Sequence, residues 1–288
     1  MSRLANRYWK IRGIAFNSIS REWTDIDFEA KIHKSIEKEP NKSEITIFNL
    51  NADSRAFLAQ DGMSVELIAG YTAADLNGQL FKGQIDLVEN KREGVNWKTK
   101  LIIRDGAKTT RNAKIEKTFA AGTTNKAVME ALINVLTSAP VIKQSKRAKS
   151  KKKNTVVPLK KGNIDLSAVT GKLSKARTLK GLAIDYYAEF CRSFNLRFQI
   201  NDGSLYTVGS NLSIIDEIVI LDPESGLIGV PEQTETGWKF KSLLRFDLQP
   251  GQKGRVKSNA LSADILMTDV IHEPKTQGEW VTSIEGKL

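Results

Sequence analysis

One cysteine and two histidines are all that this chain of 288 residues offers to thiolate or imidazole chemistry. Cys191 has no second cysteine, which excludes an intramolecular disulfide and a thiolate zinc cluster. Its setting, AEFCRSFNL, reads as a small core residue of a helix. His33 and His272 lie far apart in strand-like sequence, so each reads as a satisfied or solvent-facing histidine and not as a ligand or base. No run approaches the roughly 18 apolar residues that span a bilayer, and the N-terminus MSRLANRYWKIRG has no apolar signal core. The expectation is a soluble protein with no membrane-spanning segment. The phosphate-loop, nucleophile-elbow, HExxH and CxxC patterns are all missing. Asp216-Glu217 and Asp222 with Glu224 read as solvated charges, so no catalytic, cofactor or metal residues are expected, and no enzyme.

Acidic residues are absent between Glu130 and Asp165, where Lys143, Lys146, Arg147, Lys149, Lys151, Lys152, Lys153, Lys160 and Lys161 supply nine of the chain's net +11 charges. The basicity therefore belongs to one segment, a lysine-rich loop at 143–161, and not to the folded body. Solvation alone explains such a loop. Its first seven cations, Lys143 to Lys153, are also candidate contacts to an acidic protein neighbour. Nucleic-acid binding through phosphates is the alternative function, since it needs only lysines and arginines. Aromatics are missing from the stretch, which removes single-strand stacking.

What the chain does have is β patterning. TDIDFEAKIHKS places Ile26, Phe28, Ala30 and Ile32 on one face, and SEITIFNL repeats the alternation with Ile45 and Ile47. NADSRAFLAQDG predicts a short helix with Asn51 or Asp53 as N-cap, Phe57 and Leu58 inward, and Gly62 as its stop. SVELIAGY, QLFKGQIDLVEN and NWKTKLIIRDG follow as strands, and this N-terminal set suggests a closed or nearly closed barrel. After Gly106 the pattern changes. GTTNKAVMEALINVLTSAP predicts a helix capped by Thr123 or Thr124, and a second helix is expected from about Leu179 to Phe194 with Leu182, Ala183, Tyr186, Phe190 and Cys191 inward. A hairpin turns at Asn201-Asp202-Gly203, and the tail from Glu217 is again β. The expected fold class is α+β, mainly β: two similar tube-type β-barrel domains, 1–108 and 216–288, flanking a mixed α/β middle region at 109–215.

The two terminal regions share a motif. Trp97 follows Asp86 by eleven positions, Trp280 follows Asp269 by the same interval, and each tryptophan leads W-x-T-x-[LI] through Thr99 or Thr282. A leucine-to-glycine lead-in, Leu58 to Gly62 or Leu248 to Gly251, precedes each copy. Asp86, Trp97, Thr99, Asp269, Trp280 and Thr282 are thus the expected anchors of a repeated barrel. A cyclic trimer of such a chain presents six similar barrels, a pseudo-six-fold face made by a three-fold object.

The run FEAKIHKSIEKEPNKSEITIFNLNADSRAFL, with VELIAGY, LFKGQI and W-x-T-x-L-I-I-R-D-G after it, resembles the baseplate central hub proteins of contractile-tailed bacteriophages. The tail run LDPESGLIGVPEQTETGWKFKSLLRFDLQPGQKGRVKS looks like the same family, similar in architecture to the spike-base domains of type VI secretion proteins. The resemblance implies a homotrimeric structural hub in the virion tail baseplate, assembled in the host cytoplasm, adapting the hexameric tail tube to the trimeric central spike. Its implied partners are the tail tube protein, the central spike protein, the tape-measure protein and baseplate wedge proteins, with the genome passing through the lumen without specific binding.

Overall fold

A computed structural model describes residues 6–16, 18–37, 41–72, 76–138, 158–215 and 217–288. The chain divides into two compact units, one from Met1–Ile36, Asn41–Arg104 and Ser213–Leu288, the other from Asp105–Leu212 with Glu37–Pro40.

The larger unit is mainly β. Its first part runs β1 (Arg7–Ile14), β2 (Ser20–Trp23), β3 (Phe28–Ser35), β4 (Lys42–Phe48), helix α1 (Ala52–Leu58), β5 (Ser64–Tyr71), β6 (Asn77–Glu93) and β7 (Asn96–Arg104). The alternation in β3 and β4 works as the sequence predicts. Phe28, Ala30, Ile32, Ile45 and Ile47 face inward, because successive side chains of a strand point to opposite faces. Asn51 caps α1 by accepting from Ser54 N at 2.8 Å, and Phe57 and Leu58 are buried beneath it.

The smaller unit carries α2 (Ala107–Asn112), β8 (Lys114–Phe119), α3 (Asn125–Thr137), β9 (Lys160–Ile164), β10 (Arg177–Leu182), α4 (Ala183–Ser193), β11 (Leu196–Asn201) and β12 (Ser204–Gly209). Thr124 caps α3, whose Val128, Leu132 and Leu136 pack with Tyr187 and Cys191 of α4 in one core. Burial pushes the Cys191 thiol up to about 12. Asp202 and Gly203, both at positive φ, make the expected tight turn between β11 and β12.

Three readings of this unit need correction. Residues 177–182 are the strand β10, paired with β8, so the second helix starts at Ala183 and not near Leu179. Starting there, the inward row becomes Ala183, Ile184, Tyr187, Ala188, Phe190 and Cys191, so that Ala183, Phe190 and Cys191 point inward as expected, while the Tyr186 hydroxyl turns to the backbone of Lys180. Lys160 and Lys161 close no loop: they open β9, which runs parallel to β12.

The chain returns to the larger unit with β13 (Val219–Leu221), β14 (Leu227–Gln233), β15 (Trp238–Leu243), β16 (Lys253–Lys257), β17 (Ser262–Pro274) and β18 (Trp280–Lys287). All the strands of this unit belong to one sheet of 13, in the order β14-β15-β18-β17-β3-β4-β7-β6-β5-β1-β2, with β16 on β17 and β13 on β16. Every pairing is antiparallel except β13 with β16.

The two expected closed barrels are absent among the described residues. β1 and β2 extend the sheet beyond β5, and no ladder returns to β3. Side chains cover that gap instead: the Trp9 and Phe28 rings sit 6.2 Å apart, and Trp280 meets both at 6.3 Å. The terminal parts also join directly, through four residue pairs between β17 and β3 from Asp269↔Ser35 to His272↔Ile32.

Candidate assembly interface

In the larger unit one arrangement occurs twice. β3, β4, β5, β6 and β7 lie in the spatial order β3-β4-β7-β6-β5, and β14, β15, β16, β17 and β18 lie in the order β14-β15-β18-β17-β16. Chain order, spatial order and antiparallel direction all agree.

The central hairpins agree residue by residue. With Trp97 set beside Trp280, the ladders pair Leu101 with Val88 and Ile284 with Val270, then Thr99 with Asn90 and Thr282 with His272. Thr99 and Thr282 are both fully buried. Thr99 Oγ1 donates to Asn90 Oδ1 at 2.9 Å, and Thr282 Oγ1 bonds His272 Nδ1 at 3.0 Å. Each long strand carries one extra residue in a bulge, Asp86 in β6 and Thr268 in β17. The two aspartates therefore stand one residue out of step: the ladder counterpart of Asp86 is Thr268, and Asp269 sits beside it.

The anchors have different surroundings. Asp86 accepts from Arg104 Nη1 at 2.8 Å across its own hairpin. Asp269 Oδ2 meets His33 Nε2 at 2.7 Å, across the joint with β3. Trp280 is a core residue at 3% exposure, with the Arg7 guanidinium 5.2 Å from its ring centroid. Trp97 is half-buried, with Arg55 stacked at 4.1 Å. The glycine lead-ins also match. Gly62 (φ 76°) and Gly251 (φ 82°) precede strands β5 and β16, and behind them Ile85 N donates to Met63 O at 2.9 Å and Met267 N to Gln252 O at 3.0 Å.

At the β17–β3 joint Lys34 and His272 are buried, while the His33–Asp269 pair is partly exposed. Lys34 is 1% exposed and donates from Nζ to Gln249 Oε1 at 3.2 Å. His272 is wholly buried, and loss of hydration, reinforced by the Lys34 charge, holds its pKa well below the usual histidine range. The ring is therefore neutral. Neither this lysine nor the role of Gln249 was visible in the sequence, where Lys34 reads as one of several cations in an alternating strand.

Among the described residues two strand edges of the repeat remain open. β14 pairs only with β15, and it exposes Ile228 and Val230. β6 pairs with β5 as far as Gln84, but from Leu87 to Glu93 it pairs with β7 alone. Pro231 within β14 was a usable signal for the first edge, since proline lacks the donor an interior strand needs. The residues Lys143, Lys146, Arg147, Lys149, Lys151, Lys152 and Lys153 lie outside the described residues. Among the described residues no group of three or more His, Cys, Asp or Glu gathers as a metal site, and no helix is long and apolar enough to cross a membrane.

Neither a protein-family model nor a curated protein matches this sequence. Solved structures do. The 43 kDa tail protein of prophage MuSo2 from Shewanella oneidensis superposes with a TM-score of 0.64 at 7% identity, over 96% of this chain and 97% of that one. A tail protein from Neisseria meningitidis MC58 gives 0.61 at 10% identity, over 98% and 97%. The Escherichia coli c3393 protein, a type VI secretion component with structural similarity to the bacteriophage T4 tail proteins gp27 and gp5, gives 0.55 at 11% identity, over 91% and 73%. This chain has the mainly β fold of phage tail proteins.

Proposed function

We propose that this protein is the structural hub of a phage-like contractile tail baseplate, a homotrimeric adaptor that joins the hexameric tail tube to the trimeric central spike. The observation that carries the reading is the five-strand arrangement present twice in one chain. Three copies carry six such arrangements, so a three-fold ring offers a tube a nearly six-fold face. In this reading the segments 1–108 and 216–288 are the two tube-type halves, curved as an open sheet, and 109–215 is the part that completes the trimer and seats the spike. Asp86, Trp97, Thr99, Asp269, Trp280 and Thr282 act as internal anchors of those halves. The chain is non-enzymatic, and it resides in the virion tail with the tape-measure and wedge proteins as further neighbours. The likeness in fold to tail proteins over nearly the whole chain supports this placement.

Light scattering coupled to size exclusion tests the proposal. The expected mass is three times 32.0 kDa, unchanged between low and moderate salt. A monomer under both conditions would sink it.

A further inference from the structure

The two halves of the larger unit differ in one respect: what lies along the open flank of the long strand. In the second half, β16 covers β17 from Ser262 to Leu266, and beyond the bulge β3 takes over the same flank from Asp269 to His272. In the first half, β5 covers β6 only as far as Gln84, and nothing described takes the flank beyond the bulge, from Leu87 to Glu93. By the same equivalence the strand corresponding to β3 is β14, whose outer flank meets no strand among the described residues.

We infer that β14 of a second copy docks antiparallel on the Leu87–Glu93 flank of β6, so that the junction between chains reproduces the internal β17–β3 joint. The contact is head-to-tail, because one copy presents β6 and its neighbour presents β14, and such contacts close into rings when the rotation allows. Both flanks carry apolar side chains in solvent, Leu87 at 49% exposure on one, Ile228 at 40% and Val230 at 65% on the other. Lys91 and Arg92 on β6 complement Glu232 on β14. Unpaired backbone donors and acceptors on both flanks give the pairing its main-chain hydrogen bonds, and left open they invite indiscriminate association. This inference rests on the ring proposed above and names the strands that close it.

The test uses the full chain with Lys91→Cys and Glu232→Cys together, both at exposed positions. Cys191 does not interfere, since its thiol is buried in the smaller unit. A flexible thiol-specific cross-linker tolerates a slip of one residue pair. The double variant is expected to give covalent dimer and trimer on denaturing gels, and each single variant none. Val230→Lys, which places a charge on the docking flank, is expected to shift the scattering mass from trimer to monomer. A trimer by scattering that fails to cross-link, or that keeps its mass with Val230→Lys, overturns the strand assignment and leaves the adaptor standing. A monomer that never cross-links overturns both.

Discussion

Acidifying the solution from pH 6.5 to 4.5 should weaken the larger unit through a single imidazole. His272 is wholly buried on β17, bonded through Nδ1 to Thr282, while its Nε2 has no hydrogen-bond partner among the described residues. Burial, with Lys34 second, depresses the folded-state pKa, whereas in the unfolded chain a histidine titrates near 6.5. Below that value the unfolded chain binds a proton that the folded one refuses. Stability present above pH 6.5 is therefore lost as the pH falls, at up to about 1.4 kcal/mol per pH unit. That slope is reached only where the unfolded histidine is protonated and the folded one is not, and even a part of it matters against a typical net stability of about 5–15 kcal/mol. All five tryptophans (Trp9, Trp23, Trp97, Trp238 and Trp280) belong to the larger unit, so intrinsic fluorescence during urea unfolding follows that unit alone. The measurement compares the parent chain with His272→Gln at several pH values, so that the carboxylates, common to both proteins, cancel. The variant should show a flatter dependence of stability on pH between pH 6.5 and 4.5. Parallel curves over that interval would refute the claim that His272 stays neutral when folded.

Two further outcomes are expected. Gly251→Ala forces a side chain into the left-handed region at φ 82° and should cost about 1–2 kcal/mol, read as a lower urea midpoint of tryptophan emission. Leu132→Ala empties part of the core shared by α3 and α4 and should cost about 2–5 kcal/mol, read as labelling of the Cys191 thiol at lower urea.

Period-2 and helical patterns made the local elements readable where one side of an element faces the core. β3, β4 and α1 are of this kind, with Phe28, Ile45 and Phe57 inward as their spacing requires. β10 was misread because TLKGLA continues the helical row of α4; its pairing with β8, a partner about 60 residues earlier, decides its state. Closure of the sheet was not legible at all. Whether β1 meets β3 by hydrogen bonds or only through Trp9 depends on curvature, which no periodicity records. The repeated hairpin could be found from Trp97, Thr99, Trp280 and Thr282, whose residue types survive in both copies. The one-residue offset at Asp86 and Asp269 escaped detection, because a bulge shifts the ladder without changing the residues beside it. The joint was likewise hidden, since Ser35 and Asp269 are adjacent only after the smaller unit has been looped out between them.

That joint also sets a schedule for synthesis. Ser35 leaves the ribosome long before its partner Asp269, and at about 5–20 residues per second the interval is roughly 10–50 s. Throughout it one flank of β3 waits unpaired, while the intervening segment, complete in itself, is free to fold first. The nascent chain thus passes through a period in which a strand from a neighbouring ribosome could capture β3 before its own β17 arrives, so expression at reduced translation rate is the condition under which exchanged, misassembled subunits would accumulate.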